Sequence, residues 1–299
     1  MERKKIITVL VSCLLSASGF AQQTYQLKQN YPVGKKYDYL LNSDQIITQK
    51  VDGKEVSYVQ NVGTEYNFNI SEAKAADKSI KVTYKRLTIK SVGAGNELIL
   101  DSDKEEAGKK NPFAGLKNAA FTMLMSPNGT IKQVSGVDKM VNDMAAKIAA
   151  DTTQLNQIKI SLSKQFNDAV IKQTMESSLK IFPDKAVKIG ESWTVSSKVQ
   201  ITMPIESSTV YTLKEIKDGF ATLTIKGTLS SKGEFESLGS KMQTDLKGIN
   251  VGDAQVELKT GMILSSHTRL ELYGKMTAGA QAVDFELEGI NKVTGKEVN

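Results

Sequence analysis

The chain has 299 residues, of which 24% are charged, 40% hydrophobic and 6% aromatic. That is a globular profile of one large domain or two small ones, neither disordered nor fibrous. With one cysteine (Cys13), one histidine (His267) and one tryptophan (Trp193), it excludes a disulfide scaffold and a zinc site of three or four nitrogen or sulfur ligands. The formal charge is +6, but the lysines are scattered, and the tightest basic runs are pairs such as Lys35-Lys36 and Lys85-Arg86. A nucleic-acid binder concentrates its cations on one face among aromatics, so no nucleic-acid partner is expected.

The chain opens with Glu2-Arg3-Lys4-Lys5, an uncharged apolar run from Ile6 to Phe20, and Gly19-Phe20-Ala21. A basic start, a short apolar run and small residues at the cut predict a secretory signal peptide over 1–21, cleaved after Ala21. The run is too short for a membrane span of roughly 20 residues, and no later stretch matches it, so no transmembrane helix is expected. Leu10-Val11-Ser12-Cys13 offers the rival of a lipoprotein acylated at Cys13, but Leu14, Leu15 and Phe20 carry the apolar run past that cysteine. Cleavage would remove Arg3, Lys4, Lys5 and Glu2, leaving +4 and no thiol. The expected location is the periplasm or outside the cell.

From residue 22 to 136 the pattern is that of strands. Glu65 to Ile70 alternates polar and apolar, and Ile80, Val82 and Tyr84 alternate with lysines and Thr83. Period two sends one set of side chains to a core and the other to water, the habit of antiparallel sheets. Parity slips between Tyr84 and Leu87, which predicts a bulge at Lys85-Arg86. Turns are expected at Asp52-Gly53 and Pro127-Asn128-Gly129, and a loop over 101–118.

Residues 137–183 change period. Val137, Met140, Val141, Met144 and Ile148 recur at helical spacing, as do Leu155, Ile158, Leu162 and Phe166, then Ile171, Met175 and Leu179. Two or three amphipathic helices follow, with Asp151 placed to cap one and Pro183 ending the run. From 184 to 299 the strand pattern returns, with turns at Asp218-Gly219 and Thr260-Gly261. The stretch Pro32-Val33-Gly34-Lys35-Lys36-Tyr37 is echoed by Val187 to Trp193, which hints at two similar β-rich halves.

The leader ending at Ala21-Gln22-Gln23, the Gly34 stretch, Ser126-Pro127-Asn128-Gly129-Thr130-Ile131 and Phe182 to Trp193 together resemble a family of exported Bacteroidota proteins of unknown function. The resemblance implies an exported Gram-negative protein over nearly the whole mature chain. It brings no catalytic residues with it.

Little in the chain supports catalysis. His267 sits in a strand pattern without a nucleophile elbow. The acidic Asp101-Ser102-Asp103-Lys104-Glu105-Glu106 lacks the glycine of a calcium loop and carries its own lysine. Asp284, Glu286 and Glu288 share the wet face of one strand, although counting alone leaves a hydrolytic carboxylate pair open. The expected fold is α+β, mostly β: a large antiparallel curved sheet, or two similar β halves, packed against a central helical segment. The expected function is non-enzymatic, with no cofactor or metal. An apolar or amphiphilic, lipid-like small molecule would lie between sheet and helices, against Tyr66, Phe68, Val82, Met144, Met175, Trp193 and Ile201. This layout resembles the lipoprotein-carrier architecture of Gram-negative envelopes. The alternatives are an envelope protein interaction module with a solid core and, third, a carboxylate-pair hydrolase.

Overall fold

The computed structural model describes residues 23–104, 111, 113–200, 203–237, 240–279 and 281–299. The predicted leader with Cys13, together with Glu105, Glu106 and Ile201, lies outside them. The first part of the chain forms β1 (Thr24–Tyr25), β2 (Lys36–Val51), β3 (Lys54–Lys74), β4 (Asp77–Gly93), β5 (Asn96–Asp101), β6 (Ala120–Met125) and β7 (Ile131–Ser135). Three helices follow: α1 (Val137–Ile148), α2 (Thr152–Gln165) and α3 (Asp168–Leu179). The chain returns through β8 (Val187–Lys188), β9 (Ser192–Gln200), β10 (Pro204–Lys217), β11 (Phe220–Ser237), β12 (Ser240–Glu257), β13 (Ile263–Ala278) and β14 (Gln281–Val298).

The helices start where the sequence offers an acceptor to orphan backbone donors. The Asp151 carboxylate accepts the Gln154 N–H at 2.8 Å, and Asn167 Oδ1 accepts that of Val170 at 3.0 Å. Of the three, α2 has no buried residue and packs on α1 rather than on the sheet.

All strands but β1 and β8 join one 12-stranded antiparallel sheet, ordered β7-β6-β4-β3-β2-β14-β13-β12-β11-β10-β9, with β5 beside β4. The fold is therefore α+β and mostly β, as the alternation requires. The predicted bulge is present: Glu65 opposes Arg86 and Tyr66 opposes Tyr84, so Lys85 is the extra residue. The first and last long strands, β2 and β14, lie side by side in the middle of the sheet, so the meander's two edges, β7 and β9, belong to the middle of the chain. Helix α3 packs against both edges. A twisted sheet this wide coils, and α3 bridges the gap that the coil leaves.

One end of the coil is sealed by the segment before β2. Leu27, Gln29 and Tyr31 are buried there. Gln29 N–H donates to the Pro127 carbonyl at 2.6 Å, and Asn30 N–H to that of Thr260 at 2.7 Å.

The echoing glycine stretches do the same work twice. Gly34 N–H donates to Ile70 O and Ile70 N–H to Lys35 O; Gly190 N–H donates to Leu213 O and Leu213 N–H to Glu191 O. The two later glycine turns are matched as well. A Cβ at Gly129 would lie 2.2 Å from the Leu179 oxygen, and one at Gly261 would lie 2.1 Å from the Lys28 oxygen. Each turn thus receives the backbone that leads into the other half.

Candidate ligand-binding site

The inner face of the coil is read from register. Tyr37 and Tyr39 of β2, Phe68 and Ile70 of β3, and Ile80 and Val82 of β4 point inward near the sealed end and are at most 4% exposed. There they meet α1 and α3 through Met140, Met144 and Met175, in one continuous core. Tyr31 and Tyr39 share a buried hydroxyl–hydroxyl hydrogen bond of 2.7 Å. Burial holds the Tyr66 phenol up to about 12, with a weaker opposing contribution from its hydrogen bond with Tyr84.

Further along the same strands the chemistry changes. Ser43 and Gln45 of β2 face inward, and the rows they start run across β14 and β13 through Asn291 and Thr268, then to Asn250 of β12 and Thr209 of β10. The two rows also hold glycines 227, 252 and 289 and the apolar Leu270, Ile225 and Val195, with Tyr211 and Trp193 at the far edge. The hydrogen bonds within this belt are short: Ser43 Oγ to Asn291 Oδ1 is 2.6 Å, and Gln45 Nε2 to Ser43 Oγ is 2.8 Å. Asn250 Oδ1 is buried and accepts no hydrogen bond.

Beyond the belt the inner face turns apolar again. Leu246, Leu272, Met276 and Phe285 form a second buried cluster, with Ile47, Leu229, Phe235 and Leu287 packed half-buried against it. On the facing strands Val56 and Tyr58 are also half-buried, while Val62 and Ile89 stand level with Ser43, and Leu98, 50% exposed, level with Gln45. The four inward rows from Ser43 to Gln49 hold no carboxylate, lysine, arginine or histidine on any described strand. The outer face carries Asp284, Glu286, Glu288, Arg269 and Lys275, so it is built for water and not for lipid tails.

Helix α3 closes the side of the coil incompletely. A cleft of about 370 Å³ separates it from β9, lined by Lys172, Gln173, Glu176, Val195 and Ser197 among others. Gln173 Oε1 is buried without a partner, as are Asn250 Oδ1 and, at the sealed end, Gln29 Oε1 and the Tyr37 hydroxyl. The seam is tied below the cleft by Trp193, whose Nε1–H donates to Ile181 O at 2.8 Å while its ring stacks on Tyr211.

The residues predicted to line a ligand are thus placed in different surroundings. Phe68, Val82, Met144 and Met175 are fully packed in the core at the sealed end. Tyr66 and Trp193 stand at its margin, partly buried. The polar belt escaped the sequence reading, although its signal is there: Ser43 and Gln45 interrupt the parity Tyr37, Tyr39, Leu41, Ile47.

The other candidates are placed as follows. His267 points outward between Asp253 and Lys292. The Asp101 carboxylate is bound by Arg86 through two hydrogen bonds and by the Asp103 N–H, and Arg86, its first and largest influence, holds it below the usual carboxylate range. Asp103 pairs with Lys117. Among the described residues no group of three or more His, Cys, Asp or Glu is placed to hold a metal, and no helix is long and apolar enough to cross a membrane.

A family model described as a family of unknown function, DUF6263, matches residues 75–263, more than half of the chain. No curated protein matches the sequence. Among solved structures, the translocator domain of autotransporter NalP from Neisseria meningitidis is similar at 6% identity and a TM-score of 0.35, over 88% of this chain and 90% of that one. An outer membrane channel from Pseudomonas putida F1 is similar at 9% identity and a TM-score of 0.28, over 90% and 97%. Likeness at these scores carries no argument about what the chain does.

Proposed function

We propose that this chain, which belongs to the family of unknown function DUF6263, is a non-enzymatic binding protein of the bacterial envelope. It holds an apolar or amphiphilic small molecule on the concave face of its coiled sheet. The observation that supports this most is the change in burial along single strands. Inward residues of β3 are packed solid at Phe68 and Ile70 and half-buried at Tyr58 and Val56. The helices cover the inner face at one end only, and the uncovered end is lined mostly by apolar side chains, with Gln49, Ser197, Ser207 and Ser231 among them. Leaving such a surface to water costs about 25 cal/mol per Å², and a ligand that covers it recovers that cost. The non-enzymatic part of the reading rests on the same face, where the described residues of the inward rows from Ser43 to Gln49 include no carboxylate or imidazole. The envelope location rests on the leader read from the sequence.

Native mass spectrometry of the protein purified from its own host, repeated after denaturation, tests this. Extra mass that leaves on unfolding is expected, and extraction would name it. Purified chain that neither carries such mass nor takes up N-phenylnaphthylamine, a neutral apolar fluorophore, would refute the reading.

A second reading, an interaction module for another envelope protein, draws on a different observation. Ile46, Val59 and Val92 stand side by side on the outer face of β2, β3 and β4, exposed by 49%, 59% and 42%. It predicts a bare protein in the mass spectrum and a complex that Val59→Lys abolishes.

A further inference from the structure

The sheet edge beside α3 offers backbone that nothing occupies. Leu213 N–H donates to Glu191 O, and β9 keeps that register against β10, with Trp193 opposite Tyr211, Val195 opposite Thr209 and Ser197 opposite Ser207. In an antiparallel ladder bonded residues alternate with unbonded ones, so the odd-numbered residues of β9 exchange hydrogen bonds with β10. The N–H and C=O groups of Thr194, Ser196 and Lys198 turn the other way, and no described residue bonds them. Sheets blunt such edges by shortness or by cover. The edge on the other side of α3, β7, is five residues long, whereas β9 has nine.

The cleft of about 370 Å³ runs along this free edge. Val195, Ser196, Ser197 and Lys198 line it in succession. Consecutive residues of a strand point to opposite faces, so the space lies against neither surface of the sheet but on the line where a further strand would add. Thr194 to Lys198 spans about 13 Å at roughly 3.3 Å per residue, room for about four or five residues of extended chain. The complement of alternating backbone donors and acceptors is another extended backbone. The cleft wall also carries charge. Lys180 pairs with Glu176 and Lys198 with Glu206, which leaves Lys172 of α3 without a carboxylate among the described residues.

We propose that this cleft takes an extended peptide segment of another protein, which adds to β9 as a strand and sets an acidic side chain against Lys172. The proposal stands apart from the carrier reading, because it uses the edge of the sheet and not its concave face.

The test uses the purified full chain and heptapeptides selected on it from a random phage-displayed library. Acidic peptides are expected, and their binding should slow amide exchange at Thr194, Ser196 and Lys198. Ser196→Pro removes one outward donor and leaves the ladder to β10 intact, a change that edge strands accept. It should weaken the selected peptides about tenfold, the worth of one backbone hydrogen bond, with unchanged circular dichroism. If that variant does not fold, Ala169→Trp, which fills the cleft from α3, takes its place. Lys172→Glu should weaken the same peptides about threefold. A library that yields no binder, exchange slowed only elsewhere, or binding that survives whichever folded variant is used overturns the proposal. So does a concentration-dependent dimer that the variant dissolves, since the occupant would then be a second copy of this chain.

Discussion

Three tyrosines at the sealed end should respond in opposite ways to the same small change. Tyr31, Tyr37 and Tyr39 are all at most 4% exposed, and the rings of Tyr31 and Tyr37 are 4.8 Å apart. The hydroxyls of Tyr31 and Tyr39 bond to each other at 2.7 Å, and Tyr39 also accepts a backbone hydrogen bond from Ile263. The Tyr37 hydroxyl is buried and has no partner. Tyr39→Phe removes two hydrogen bonds and strands the Tyr31 hydroxyl in a dry core, a loss of about 2–4 kcal/mol. Tyr31→Phe breaks one bond but leaves Tyr39 its backbone donor, a loss of about 1–2 kcal/mol. Tyr37→Phe deletes a group that already bears the cost of burial and should be neutral or stabilising by up to about 1 kcal/mol. Urea unfolding followed by far-ultraviolet circular dichroism measures all three, provided the denaturant slopes agree. The double variant of Tyr31 and Tyr39 should cost less than the two single losses together. A loss at Tyr37 as large as that at Tyr39 would refute the reasoning, because the Tyr37 hydroxyl would then have a partner.

Two other phenols, Tyr66 and Tyr211, set an alkaline limit. Burial raises Tyr66 and Tyr211 to about 12. The stability they lend is therefore intact below pH 10 and lost as pH rises towards 12, by roughly 2–3 kcal/mol for each ring at the upper end. Absorbance at 295 nm should rise together with loss of circular dichroism; phenols that titrate in a still folded chain would contradict this. Gly129→Ala and Gly261→Ala place a Cβ at φ +87 and +72 and about 2 Å from a carbonyl oxygen. Each should cost more than roughly 2 kcal/mol in thermal unfolding, whereas Gly53→Ala, with open space around it, pays only for its backbone angle. Trp193→Phe removes the hydrogen bond to Ile181 O and should cost about 1 kcal/mol, with faster amide exchange confined to α3 and β9; uniform exchange would show that the seam is not held there.

Much of the sheet was legible because alternation is a local signal. The bulge at Lys85-Arg86 follows from parity alone, and Asp151 reads as a cap because a carboxylate three residues before a free N–H can do little else. What was not legible is set by distance along the chain. Nothing local in Lys36–Val51 says that its neighbour is Gln281–Val298, because pairing between strands some 250 residues apart leaves no spacing to read. For the same reason Phe68, Val82, Met144 and Met175 read as a ligand wall: their apolar parity is that of any inward position. Whether an inward position faces a packed helix or open space depends on where the helices end.

That boundary decides the function of the inner face, and the sequence marks it only by exceptions. An inward strand position filled by a polar residue is either a mistake in parity or a group meant to meet something. In β2 the pattern resumes at Ile47 after Ser43 and Gln45, so parity is intact, and register then brings Asn291 and Thr268 level with Ser43 and Asn250 level with Gln45, from strands far along the chain. Several polar residues converging at one level of an otherwise apolar surface cost free energy in the empty protein. What sets the belt apart from a core is that Ser43, Gln45 and Asn291 join in one hydrogen-bonded group, since apolar residues line every core and an unpaired amide oxygen, that of Gln29, occurs in the packed end as well.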